Sequence, residues 1–318
     1  MKHVAVIGAA GYAGGELLRL LFDHPHIASV QCISQSQKGL PLTAVHDDMF
    51  MHGNKLFSDT LESCDVVFLC GDHGQSQRLI DEQKVYEKSS AVIDLSQDFR
   101  DGSEGYIYGL SEVYSEAIRG TKRLANPGCF ATAIQLAIAP LAKAGLLKSE
   151  LHITGITGST GAGQKLQKTS HYSQRNQNMS SYKVFEHQHL TEIRATVLSL
   201  QGEVPKLHFV PIRGPFSRGI FASMYCETDL SQAQILEIYG DFYTKCPFVH
   251  IGSDEVTLKS VVNSNHARLQ LNVHDGMLHI VSCIDNLLKG ASGQAIQNLN
   301  LMMDWPQTAG LGLKPLAY

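Results

Sequence analysis

Val4-Ala5-Val6-Ile7-Gly8-Ala9-Ala10-Gly11-Tyr12-Ala13-Gly14-Gly15-Glu16-Leu17-Leu18-Arg19-Leu20-Leu21-Phe22 opens the chain and decides the fold. Four apolar residues with no polar alternation read as a buried strand, three glycines spaced three apart as a turn, and Glu16 to Phe22 as a helix. Small residues at Gly8, Gly11 and Gly14 let the backbone approach a pyrophosphate seated on the helix N-terminus. The spacing differs from the commonest dinucleotide fingerprint, and a tight structural turn is the alternative. Its place between a buried strand and a helix favours nucleotide binding.

Outward from this unit, Ser29 to Ser34 falls where a crossover would return a second parallel strand, and Cys64 to Cys70 and Ser90 to Leu95 supply others. Together they describe an α/β, Rossmann-type doubly wound parallel sheet. After an apolar helical run from Phe130 to Leu141 the texture changes to strands at Leu151 to Ile156, Leu207 to Pro211, Ile220 to Glu227, Arg268 to His274 and Met277 to Cys283. These predict a second α+β domain, mostly antiparallel. Gly293 to Met303 reads as an amphipathic helix that packs back on the first domain, so the expected division is 1–128 with 290–318, and 129–289. The polar segment Gln164 to Ser181 reads as a mobile loop.

The 318 residues carry a net charge of -4, with no long run of like charge, which argues against a nucleic-acid partner. No stretch approaches a membrane span or a signal peptide. Seven cysteines at irregular spacing, without a Cys-x-x-Cys pair, argue against a disulfide framework and fit a cytoplasmic protein with small-molecule partners.

Pro127-Gly128-Cys129 stands where an irregular segment meets the second helical run. Backbone amides and the helix dipole favour thiolate there, which makes Cys129 a candidate nucleophile, although many cysteines are merely small buried hydrophobes. Either imidazole of His187-Gln188-His189, ahead of Glu192, can serve as its base. In an extended segment the two rings share one face, but no nearby third ligand completes a metal site, so no metal is expected. Arg100 and Arg218 carry forked donors suited to phosphate or carboxylate. Past the second strand, Ser34-Gln35-Ser36-Gln37-Lys38 offers hydroxyls and a cation but no carboxylate to repel a 2'-phosphate, so NADPH is expected over NADH.

The chain resembles N-acetyl-gamma-glutamyl-phosphate reductase, of the aspartate-semialdehyde dehydrogenase-like superfamily, nearly end to end. The resemblance rests on residues 8–17, on Ile93 to Arg100, on Tyr108-Gly109-Leu110, and on Ala125-Asn126-Pro127-Gly128-Cys129. It continues through Gly161 to Gly163, His187 to Ile193, Ser217 to Ile220 and Asp285 to Ala291. It implies an NADP-dependent oxidoreductase of arginine biosynthesis, in which Cys129 attacks an N-acyl-glutamyl 5-phosphate and the resulting thioester is reduced to the semialdehyde. Gly8, Gly11, Tyr12, Ala13 and Gly14 would hold the pyrophosphate, Ser34 and Ser36 the adenosine end, and Asn286 the nicotinamide region. Arg100, Asn126, Glu192 and Arg218 would face the substrate, and His187 and His189 both remain candidates for acid-base work. A homo-oligomer, dimer or tetramer, assembled through the second, catalytic domain is also implied.

Departures from the family pattern are Phe130-Ala131 after the cysteine, Gln35 and Gln188 where arginine is common, and an additional Arg213-Gly214 that can read the N-acyl group. N-acetyl, N-succinyl or another acyl group stays open. Aspartate-semialdehyde dehydrogenase and a silent NADPH-binding protein are the competing readings.

Overall fold

The computed structural model describes residues 1–166 and 168–316, which fall into two units: 1–128 with 291–312, and 129–290 with the tail from Leu313. In the first, six strands form a fully parallel sheet: β1 (Lys2–Ile7), β2 (Ile27–Ile33), β3 (Cys64–Leu69), β4 (Ser89–Asp94), β5 (Ile107–Tyr108) and β6 (Arg123–Ala125). Their order, β2-β1-β3-β4-β6-β5, reverses direction at β1. The glycine turn therefore leaves β1 at the switch point, where open α/β sheets bind ligands. Val4, Val6, Val66, Phe68 and Ile93 are fully buried, as expected for strands covered on both faces.

The helix Gly293–Met302 is buried on every side, which corrects the amphipathic reading. Its polar residues are engaged inside the unit: Gln294 donates to Gly109 O (3.0 Å) and Ser111 Oγ (2.7 Å), and Asn300 to Gln307 O and Ala309 O. Amides that saturate buried carbonyls sit in a core at little cost, so polarity marked internal bonding here and not a solvent face.

The second unit is built on a mixed sheet: β7 (Leu151–Thr157), β8 (Ser180–Ser181), β9 (Leu207–Arg213), β10 (Ile220–Glu227), β11 (Val249–Gly252), β12 (Ala267–His274) and β13 (Met277–Ile284). The order is β11-β12-β13-β10-β7-β9-β8. Pairing is antiparallel except between β7 and β9 and between β11 and β12. Helix Cys129–Lys143 packs on β10 and β13 and on the helices His189–Gln201 and Gln232–Tyr243. Pro140 lies inside it and has no N–H for the Leu136 carbonyl. The Tyr243 hydroxyl donates to that carbonyl instead.

The segment Gln164 to Ser181, read as a mobile loop, holds the short helix Tyr172–Arg175 and β8, with Gln167 outside the described residues. Arg175, buried, fixes it by donating to the carbonyls of Thr169 (3.1 Å), Asn178 (3.1 Å) and Arg213 (3.0 Å). Among the described residues no helix is long and apolar enough to cross a membrane.

Candidate active site

The nucleotide half lies in the first unit. Gly8 has φ +86°, and a β-carbon there would meet Cys70 O at 2.6 Å; one on Gly14 would meet Gly8 O at 2.5 Å. Both glycines are thus required by close approach of backbone to backbone. Gly11 differs: its β-carbon would meet nothing nearer than Gly8 O at 3.6 Å, and as the N-cap of Tyr12–Phe22 it brings no side-chain acceptor to the helix amides. An open glycine over uncapped amides fits an anionic pyrophosphate, with Tyr12, Ala13 and Gly14 forming the first turn. His46, not singled out from sequence, braces the loop by bonding Ala9 O (2.9 Å) and lying where a side chain on Gly15 would go.

Ser34 is buried and Ser36 exposed at the end of β2, their hydroxyl oxygens 3.4 Å apart. The expectation that no carboxylate reaches this end is corrected. A bridge from Ile33 to Ser58, with Ser34 N–H donating to Ser58 O (2.8 Å), brings Asp59 alongside, and Lys38 Nζ bonds its carboxylate at 2.8 Å. The Lys38 hydrogen bond is the main cause of Asp59's lowered pKa.

Two expected substrate contacts in this unit hold the main chain. Arg100 donates from Nε to Asn126 O (2.9 Å) and from Nη2 to Leu95 O (3.1 Å). Buried Asn126 donates to Ala291 O (3.0 Å) and accepts from Asn298 Nδ2 (3.1 Å).

The catalytic half lies in the second unit. Cys129 is the first residue of its helix and only partly buried, and no disulfide joins any of the seven cysteines. The next residue gathers the histidines: the Phe130 ring meets His187 at 5.6 Å and His189 at 6.4 Å between centroids, with Phe209 at 5.1 Å. Gly155 on β7 leaves the space, since a β-carbon there would strike Phe130 at 2.5 Å. The histidine segment is not extended. His189 begins a helix, and its N–H donates to His187 Nδ1 (3.2 Å). Thr196 Oγ1 and Gln135 Oε1, 3.0 Å apart, lock that helix to the cysteine's own.

Burial, reinforced by Lys183 and Arg213, pushes His187 down to about 4, so at neutral pH it is uncharged. His189 Nε2 lies 3.9 Å from Glu192 Oε1, both side chains buried. That is beyond hydrogen-bond length but close enough for electrostatic orientation. Tyr182 escaped the sequence reading. Burial first, then the Cys129 charge, raises its phenol, and the Arg213 guanidinium lies 4.4 Å from its ring centroid.

Arg218 and Asn286 belong to one turn. Arg218 forks onto Asp285 through Nε–Oδ2 (3.1 Å) and Nη2–Oδ1 (3.2 Å). The same buried carboxylate accepts the N–H groups of Asn263, Leu287 and Leu288. Asn286 accepts from Gly219 N–H (2.7 Å) and donates to Thr160 Oγ1 (3.0 Å).

A glycine-turn nucleotide unit followed by a mixed-sheet unit with a helix-start cysteine and paired histidines defines the semialdehyde dehydrogenase class. Residues 3–121 match the semialdehyde dehydrogenase NAD binding domain and residues 129–286 the semialdehyde dehydrogenase dimerisation domain. The chain belongs to the N-acetyl-gamma-glutamyl-phosphate reductase family. It is 45% identical to the reductase of that name from Bacteroides fragilis, covering 100% of both chains, and 43% identical to that of Christiangramia forsetii, covering 99% of both. Among solved structures, aspartate semialdehyde dehydrogenase II of Vibrio cholerae, complexed with ASA, superposes with a TM-score of 0.75 at 16% identity, over 96% of this chain and 98% of that one. Aspartate semialdehyde dehydrogenase of Candida albicans with NADP gives 0.72 at 15% identity, over 95% and 98%. These distant likenesses concern the fold.

Proposed function

We propose that this chain catalyses the NADPH-dependent reductive dephosphorylation of N-acetyl-L-glutamyl 5-phosphate to N-acetyl-L-glutamate 5-semialdehyde, a step of arginine biosynthesis. The carrying observation is Cys129 at the first residue of its helix, with both histidines gathered on the ring of Phe130. Cys129 Sγ attacks the acyl carbon, the bond to the phosphate oxygen breaks, and phosphate leaves a thioester on the sulfur. NADPH, when bound, supplies the hydride that reduces this thioester. Collapse of the resulting thiohemiacetal expels the Cys129 thiolate and releases the aldehyde.

His189 is assigned the proton transfers, because Glu192 stands beside its Nε2 while His187 is held neutral and accepts the His189 N–H. Helix amides at Cys129 are suited to the developing oxyanion. Tyr12, Ala13 and the glycine turn are assigned the pyrophosphate, and Ser34, Ser36 and Lys38 the adenosine end. Arg100, Asn126, Arg218 and Asn286 act as positioning residues, since Arg100 and Asn126 donate to main chain, Arg218 to Asp285, and Asn286 accepts from Gly219 N–H and donates to the Thr160 hydroxyl. Homo-oligomerisation through the second domain and a cytoplasmic setting complete the reading.

The reaction run in reverse tests it: phosphate-dependent reduction of NADP+ with N-acetyl-glutamate semialdehyde, its N-succinyl counterpart and aspartate semialdehyde, using wild type and Cys129→Ala. Turnover lost in Cys129→Ala supports the mechanism, and the preferred aldehyde names the acyl group. Wild-type turnover with none of them overturns the assignment.

A further inference from the structure

One face of the second sheet carries an unusual row of rings. His208 on β9, His152 on β7, Tyr225 on β10 and His279 on β13 are successive register partners across four adjacent strands. The rings of His152 and His208 stack at 4.8 Å with 18° between planes, and those of His152 and Tyr225 at 4.9 Å with 9°. The first spacing is that of neighbouring strands, so in-register residues on one face stack with no distortion. Glu150 immediately precedes β7, and its carboxylate reaches this row of rings. Glu150 Oε2 is 3.0 Å from His208 Nε2.

We propose that Glu150, His152 and His208 form a binding site for a divalent ion of the zinc, cobalt and nickel group. One ligand atom from each lies within 4.8 Å of the other two. Two imidazoles and a carboxylate are a donor set such borderline ions take, leaving a fourth position for water. Tetrahedral coordination with bonds of about 2.0–2.2 Å spaces its ligands about 3.4 Å apart. The Glu150–His208 pair, at 3.0 Å, is already inside that spacing, and with all three ligand atoms within 4.8 Å of one another the rings must turn to close on an ion. His152 contacts its neighbours through ring stacking and makes no hydrogen bond among the described residues, so a metal would displace no existing partner of its nitrogens. Lys206, 2.8 Å from Glu150 Oε1, competes with the ion for the carboxylate, and the ion replaces the direct Glu150–His208 contact. The bound ion would tie the parallel pair β7–β9 together at the start of both strands.

The decisive experiment titrates the assembled protein with Co2+ and with Zn2+ in the Cys129→Ser background, which removes the nucleophilic thiolate as a competing ligand. The expected result is one equivalent of Co2+ per chain, with visible d–d absorption and no thiolate charge-transfer band, displaced by Zn2+. His152→Phe keeps the stack on Tyr225 but removes the nitrogens, and should weaken binding on the order of 100-fold, as should His208→Phe. Lys206→Ala removes the competing cation and should tighten it. Zn2+ should raise the thermal midpoint of the Cys129→Ser protein and leave that of its His152→Phe derivative unmoved. Absence of binding, or binding indifferent to both histidine substitutions, overturns the site.

Discussion

Gly290 lies directly against the nucleophile: a β-carbon at this position would sit 2.8 Å from Cys129 Cβ, 3.2 Å from its Cα and 3.3 Å from Asp285 O. No side chain of flexible reach is involved, so Gly290→Ala must move either the start of the helix or the turn after β13. A shift near 1 Å at a reacting atom costs about 100-fold in rate. The expected outcome is a fall of that order in kcat with NADPH binding unchanged, read by steady-state kinetics beside a fluorescence titration of the cofactor.

The turn that carries Gly290 hangs on Asp285, whose carboxylate joins Arg218 to three main-chain amides. Removing one member of a fully buried ion pair costs about 3–5 kcal/mol because the partner charge is left behind, and with Arg218 partly exposed that range is the upper bound here. Asp285→Ala is therefore expected to lose stability up to that bound by urea denaturation. The double variant Asp285→Ala, Arg218→Met should recover part of the loss. An equal cost of Arg218→Met in the wild type and in Asp285→Ala would show that the pair is not coupled.

His187 makes stability depend on acid. Its folded pKa of about 4 lies below the ordinary 6.5, so between those values the unfolded chain binds more protons. Stability is then complete above pH 6.5 and declines as pH falls toward 4. At about 1.4 kcal/mol per unit, the contribution is at most roughly 3 kcal/mol. His187→Gln should flatten the acid side of the stability curve relative to wild type. Buried His24, also shifted down mainly by burial, leaves a residual slope in both proteins.

What was legible in the sequence was local. The strand, glycine turn and helix of the opening residues, and the cysteine at a helix start, are written in consecutive residues, and the structure places them so. Relations made by register were not legible. Asp59 reaches the end of β2 only because Ser58 bridges Ile33, and Glu150, His152 and His208 meet only because β7 and β9 pair in parallel. Arginines quoted as ligand anchors were ambiguous for another reason: a guanidinium suits a carboxylate whether it belongs to a ligand or, as with Arg218, to Asp285. The conformation of the His-x-His pair was not legible either, because no capping side chain announces the helix that begins at His189.

The pairing of Lys38 with Asp59 bears on cofactor choice. Beside the serines that end β2, an ammonium attracts a 2'-phosphate and a carboxylate repels it, so the two side chains pull the preference in opposite directions. Lys38→Met leaves the carboxylate uncompensated, and Asp59→Asn releases the ammonium for a phosphate. Solvent screening keeps an exposed charge contact modest, worth a few-fold in affinity. The ratio of kcat/KM for NADPH over NADH should fall a few-fold in Lys38→Met and rise in Asp59→Asn. Both side chains of this pair are exposed, so added salt should shrink these changes. If neither substitution moves the ratio while both proteins keep their activity with NADPH, the 2'-phosphate is read elsewhere and Lys38 serves only to hold Asp59.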